Sequence, residues 1–334
     1  MTDQVIDVHA HYLPPLVLER FASARGAFPD VNLINGDAGP RFVFGKEEPT
    51  RPVAAKLMDL AARKEWMDLR GIDHQLVGGW LDSFGYELPP EQGAAWSRYL
   101  NRCLQDSLAG EPRFTPLATV PLQDGALAAH VLQEAWDQGF GGVMIGTLPK
   151  GQGGVLDSPE LDPFWEKADS LGAAIFLHPM FLCGEPRLSD YDLVNALGRI
   201  ADTSIAVARL LYSGHLLKYP SMKVVLAHGG AALPFALGRL ARNHTISAGK
   251  YADPRKGFEA LYFDSVVFDH DALAFLVESA GDERVLLGSD APFPIGDLDP
   301  RKVVEEGSYL GQAARRRILG GNATKIFRVR GQTA

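Results

Sequence analysis

Eight short apolar runs, many rich in β-branched residues, punctuate this 334-residue chain. They are VIDVHAHY (5–12), HQLVGGW (74–80), FTPLATVPL (114–122), GGVMIGT (141–147), AAIFLHP (173–179), KVVLAHGG (223–230), LYFDSV (261–266) and RVLLGSDAPF (284–293). Near-continuous hydrophobicity suits strands covered on both faces, as in a parallel sheet. Between the runs, apolar residues recur at helical spacing. In EQGAAWSRYLNRCLQDSLAG (91–110), Trp96, Tyr99, Leu100, Cys103 and Leu104 share one helical face ahead of Gly110. In DALAFLVESAG (271–281), Leu273, Leu276, Val277 and Ala280 do the same before Gly281. The stretch 52–71 is looser: Val53, Leu57, Leu60 and Ala61 keep the period, Lys64 interrupts it and Met67 resumes it.

Strands alternating with helices about eight times predict a (β/α)8 TIM-type barrel. Such barrels enclose one core at this length, so residues 1–334 are expected to form a single domain. One segment breaks the rhythm. In PDVNLINGDAGPRFVFGKEEP (29–49) two apolar runs flank a GDAG turn signal, which predicts a small β insertion after strand 1, within about 13–50.

The amino acid balance is that of a soluble globular chain, 46% hydrophobic and 22% charged. A formal net charge of −8 and a pI near 5.6 argue against nucleic acid as a partner. The most basic stretch, Arg315 to Arg317, falls in a surface helix pattern, where a solvated face is the simpler reading. The two cysteines, Cys103 and Cys183, have no disulfide or zinc-ribbon spacing and are expected to be reduced thiols in a cytoplasmic protein. No basic n-region with an apolar h-region opens the chain, and no apolar run is long enough to span a bilayer, so neither secretion by that route nor a membrane is expected.

Strand ends carry the chemistry. His9 and His11 lie two apart on the first run and so present both imidazoles to one side. An HxH pair alone is a weak signal, and histidines satisfied within a core or loop are the alternative. In a barrel, however, the carboxyl ends of strands converge on one mouth, and three other runs end in His178, His228 and Asp290. His9, His11, His178 and Asp290 give three nitrogens and one oxygen, a set suited to one Zn²⁺ per chain, with another divalent metal as the alternative. A second metal would need a bridging ligand, and the fourth run offers no Lys or Glu at its tip, with Lys150 several residues beyond. His228 could be a further ligand. It is assigned instead as general base, because a histidine beside metal-activated water can take its proton.

These residues also carry a resemblance. The chain resembles the amidohydrolase superfamily, in the branch typified by 2-amino-3-carboxymuconate-6-semialdehyde decarboxylase. The similarity runs through IDVHAHYLP (6–14), RPV (51–53), FGYE (84–87), VPLQD (120–124), LHP (177–179), AHGGAALPFALGRL (227–240), FDSVVF (263–268) and LGSDAPFPIG (287–296). It implies the same barrel, insertion, zinc, ligand set and role for His228. It further implies that Arg51 contacts a substrate carboxylate and that Arg239 reaches into the neighbouring subunit of a homodimer. A guanidinium fork suits a carboxylate, although pairing of Arg51 with a surface acid and a solvated Arg239 are the plainer readings of the residues alone. The chain departs from the pattern after its HP dipeptide, where Met180 and Phe181 replace Trp-Asp, and near Tyr191, where a tryptophan is replaced.

The expected activity is a metal-dependent, non-oxidative decarboxylation of an unsaturated or aromatic small-molecule carboxylate, without an organic cofactor. A hydrolase or hydratase acting on a related carboxylate or lactone is the alternative on the same site. A barrel that binds metal or ligand without turnover is a second.

Overall fold

The computed structural model describes residues 4–150, 154–180 and 185–331, and within it all eight apolar runs join one sheet. Strand β1 (Ile6–His11) is followed by a hairpin, β2 (Val31–Gly36) and β3 (Gly39–Phe44). Seven further strands follow: β4 (His74–Gly78), β5 (Phe114–Ala118), β6 (Gly142–Gly146), β7 (Ala174–His178), β8 (Lys223–Leu226), β9 (Leu261–Asp264) and β10 (Val285–Leu286). The large sheet runs β1-β4-β5-β6-β7-β8-β9-β10 with every pairing parallel. Every residue of β4, β5, β6 and β7 is buried, as the unbroken apolar runs require.

The last strand returns to the first. Val8 N donates to the Leu287 carbonyl at 2.9 Å, Asp290 N to the His9 carbonyl at 2.8 Å and His11 N to the Ala291 carbonyl at 2.8 Å, and Ala10 bridges Ala291 in parallel. These bonds close a TIM-type barrel. Its final run, read as extended over 284–293, is a regular strand only at Val285–Leu286. Beyond it the chain crosses to β1, and Asp290 adopts a left-handed φ of 59°.

Two other elements differ from the reading of the sequence. The stretch 52–71 breaks into Ala55–Met58 and Leu60–Arg70, because Asp59 leaves helical geometry and its carboxylate accepts from Ala62 N at 2.9 Å, capping the second helix. That break turns Ala61 outward and Arg63 inward. The region before the hairpin also holds two short helices, Pro15–Glu19 and Phe21–Ala24.

The hairpin is antiparallel, with Gly36 opposite Gly39 across Asp37-Ala38. It closes a second apolar cluster against the helix Pro90–Ser107, centred on Trp96, whose ring meets Phe28, Phe42 and Phe44 and whose Nε1 donates to the Ser83 carbonyl. Arg317 pairs with Asp282 and Arg315 donates to the Gly307 carbonyl, so this basic stretch is anchored to its own fold. Cys103 is buried and free, whereas Cys183 and Phe181 lie outside the described residues.

Removing the Trp96 ring should cost about 3–5 kcal/mol, the range for truncating a buried aromatic. Urea unfolding of Trp96→Ala should therefore show a lower midpoint with an unchanged slope. His74 gives a pH signature: burial, with the charges of Arg330 and Arg113, holds its imidazole down to about 4 from 6.5. A depressed histidine contributes stability above the unfolded value that is lost as pH falls from about 6.5 towards about 4. The stability advantage of the wild type over His74→Gln should shrink across that interval in paired urea titrations.

Candidate metal centre

The ligand geometry begins in β1. Its register against β4 gains one residue between Asp7 and Ala10, a bulge of the kind that re-aims side chains at barrel rims. His9 and His11 are both fully buried there, with ring centroids 5.3 Å apart. His178 ends β7 with its ring 4.9 Å from that of His11 and 5.1 Å from that of His9. Asp290 follows β10 and is buried as well.

Partners on the far side of each ring decide which nitrogen faces the centre. His11 Nδ1 lies 3.0 Å from the Gly79 carbonyl and His178 Nδ1 2.9 Å from the Pro179 carbonyl. A carbonyl can only accept, so each Nδ1 carries the proton and each Nε2 of the neutral ring keeps a bare lone pair. His9 Nδ1 meets Asp264 Oδ2 at 2.6 Å, with the same outcome. Asp290 Oδ1 then lies 3.1 Å from His11 Nε2, 3.3 Å from His9 Nε2 and 4.0 Å from His178 Nε2.

All four donor atoms fall within 4.8 Å of one another. Among the described residues, His178 Nε2 and Asp290 Oδ1 have no hydrogen-bond partner although both are buried. Converging electron pairs without protons between them are costly in a dry interior, and a cation at their centre removes that cost. A divalent metal site is therefore present, and its donors fit the ion.

Electrostatics agree with that arrangement. Burial opposes the charge of Asp290, but His9, His11 and His228 more than offset it and hold the carboxyl well below its ordinary range. Burial also opposes the charge of His9, yet Asp290 and Asp264 raise it to about 10, whereas burial lowers His11 and His178.

A surrounding shell sets these positions. Asp264 Oδ1 accepts from Gly229 N at 2.8 Å and Val266 N at 3.1 Å, fixing the carboxylate behind His9. Gly288 permits this close approach: a Cβ there would sit 2.9 Å from that of Asp264 and 3.1 Å from that of His9. Asp7 accepts from His9 N, Ser289 N, Ser289 Oγ and Gln75 Nε2, tying the strand of two ligands to the residue before the fourth. Arg63 donates to Gln75 Oε1 and to the His11 carbonyl, both at 2.8 Å, and burial lowers its guanidinium to about 10. Asp264 stood at the tip of the seventh apolar run and Asp7 two residues before His9, so the strand-end argument could have reached both. Arg63 gave no comparable signal, because a buried arginine is rare.

His228 Nε2 lies 3.3 Å from Asp290 Oδ2, the carboxylate oxygen turned away from the other three histidines. Its backbone is left-handed, φ 56°, as is that of Asp290. Strained conformations of this kind concentrate at functional sites. His228 and Asp290 line a cavity of about 300 Å³ whose walls include Val266, Val267, Phe268 and Ile295.

Arg51 and Arg239 are placed differently. Arg51 is 47% exposed and forms a two-bond pair with Asp82, at 2.9 and 2.8 Å, with its guanidinium 5.8 Å from the Trp80 ring centre. Arg239 is exposed on the helix Leu233–Ile246. Neither lines the cavity formed by this chain. Tyr191 is also exposed, and Lys150 pairs with Glu160 away from the donors.

Comparison with known proteins gives a family match to Amidohydrolase over residues 86–329. The chain is 30% identical over 332 residues to 2-amino-3-carboxymuconate-6-semialdehyde decarboxylase of Dictyostelium discoideum, covering 96% of this chain and 91% of that protein. The crystal structure of 5-carboxyvanillate decarboxylase from Sphingomonas paucimobilis superposes with a TM-score of 0.81 at 25% identity, covering 98% of this chain and all of that one. A dihydroxybenzoic acid decarboxylase from Polaromonas, solved with bound manganese and 2-nitroresorcinol, has a TM-score of 0.75 at 22% identity and covers 97% of both chains.

Because Asp264 orients His9, Asp264→Asn should weaken metal binding by about 10–100-fold, the usual effect of losing such a partner. Chelator competition measures this directly. An unchanged affinity would remove Asp264 from the centre.

Proposed function

From the chain's membership of the amidohydrolase family, in the 2-amino-3-carboxymuconate-6-semialdehyde decarboxylase-like branch, we propose that it is a metal-dependent, non-oxidative decarboxylase of an unsaturated or aromatic carboxylic acid. One observation carries the reading: the buried donor cluster of His9, His11, His178 and Asp290 adjoins an apolar-walled cavity large enough for a small planar acid. We assign Zn²⁺, one per chain, because three imidazoles and a carboxylate suit it. Manganese is the competing assignment, since it occupies a related decarboxylase.

Held by His9, His11, His178 and Asp290, a divalent ion would serve as a Lewis acid towards substrate oxygen. In the reaction the bond between the substrate carbon and its carboxylate breaks, carbon dioxide leaves, and the electron pair stays on carbon. A conjugated carbonyl or alkene accepts that pair before the carbon takes a proton; in an aromatic acid the carboxyl-bearing carbon takes the proton first, and loss of carbon dioxide returns the pair to the ring. His228 moves the proton, with its Nε2 oriented by Asp290 Oδ2. Val266, Val267, Phe268 and Ile295 give the substrate an apolar face, and Arg51, which stands outside the cavity lining, holds a substrate carboxylate once it swings inward from Asp82. In a homodimer, the partner's Arg239 adds a second cation at the mouth. The buried, free thiol of Cys103 suits a cytoplasmic enzyme.

The competing reaction on the same residues is hydrolysis or hydration, in which the carboxyl count of the product is unchanged. Carbon dioxide release and incorporation of labelled water, followed over muconate, resorcylate, vanillate and lactone substrates, separate the two. Chelation should abolish turnover, and zinc or manganese should restore it. His228→Asn should lower kcat by about 10²–10⁴-fold while metal content is retained, the range for losing a proton-transfer group. Hydrated product without carbon dioxide would replace the decarboxylase assignment.

A further inference from the structure

Arg199 lies in the wall of the metal-site cavity, with His228 and Asp290. It follows a π-helical turn, Val194–Gly198, and begins the helix Arg199–Ser213. A π-turn inserts a residue into helical register and is frequent at functional sites, where it redirects side chains. Here it puts Arg199 in line with the cavity, and Asn195 Oδ1 accepts from its Nε at 2.7 Å, fixing the guanidinium plane. Partial burial lowers its pKa from the ordinary arginine value, while the negative charge of Asp290 raises it and the positive charge of Arg51 opposes it. Arg199 thus shares one electrostatic field with the metal ligand and with Arg51. An arginine remains charged under such a shift, and its attraction for an anion grows as water is excluded.

We infer that Arg199 is a substrate-binding, specificity-determining residue that grips a second carboxylate, on an unsaturated or aromatic molecule whose first carboxylate leaves from the His228 side of the same cavity. The inference rests on reading this cavity as the substrate site. Assignment to the carboxylate that stays follows from the direction of charge flow. Carbon dioxide departs neutral, so a cation clamped on the departing group would stabilise the starting anion and slow its loss. A cation on the retained carboxylate binds ground state and transition state alike and sets which acids enter. Arg199 therefore acts mainly on KM, and His228 on kcat.

Calorimetric titration of the zinc-loaded protein with benzoate and with the three benzene dicarboxylates tests this. At least one dicarboxylate should bind the wild type about 10-fold or more tighter than benzoate, as expected for a charge-assisted fork. Arg199→Gln should lose that preference with metal content retained, and Arg199→Lys should recover part of it. No preference in the wild type, or a preference that survives Arg199→Gln, overturns the inference. Carbon dioxide release over the substrate panel is scored separately: a protein that prefers dicarboxylates through Arg199 yet releases none would retain this binding role and lose the decarboxylase reading.

Discussion

Everything at the centre depends on the seam between β1 and the chain leaving β10. The last regular strand has only two residues, so backbone pairing alone gives that edge little length. Three backbone bonds and the Asp7 carboxylate, which gathers donors from both sides, complete it. This closure puts Asp290 beside His9 and His11, although the chain travels around the whole ring between them. A metal site assembled across a barrel seam inherits the rigidity of closure, and ligand spacing follows from the architecture.

Local strain is concentrated where the chemistry is. His228 and Asp290 both have left-handed backbones, as do Ala231 and Phe268 beside the same cavity. Such conformations cost free energy in residues with a Cβ and persist only where surrounding contacts overdetermine them. The Asp290 backbone bond to His9 and the fixed position of Gly229 on Asp264 supply contacts of that kind. Stability is thereby traded for an arrangement in which the chain leaving β8 and the chain leaving β10, on either side of β9, turn their side chains to one point.

The barrel was legible in the sequence because parallel strands buried on both faces leave an unmistakable apolar record, and each of the eight runs contains its strand. His9, His11, His178 and Asp290 were legible for a related reason: polar residues stand out at the tips of such runs. Helix phasing over 52–71 was harder to read. Asp59 ends one helix and starts another, which rotates the following face and sends Arg63 inward, an event controlled by a cap and a buried polar network rather than by apolar period. Arg199 was hidden similarly, since a π-turn alters helical register without a distinctive composition.

The three imidazoles differ in what holds their outer nitrogens. His11 and His178 lean on main-chain oxygens of Gly79 and Pro179, which no side-chain replacement deletes, whereas His9 leans on the Asp264 side chain. The centre is therefore lopsided: two ligands are held by oxygens that stay in place as long as the fold does, and one rests on a side chain that can be replaced. Side-chain substitution can thus tune the basicity of one of these imidazoles from the tip of β9, while the outer contacts of the other two follow the backbone.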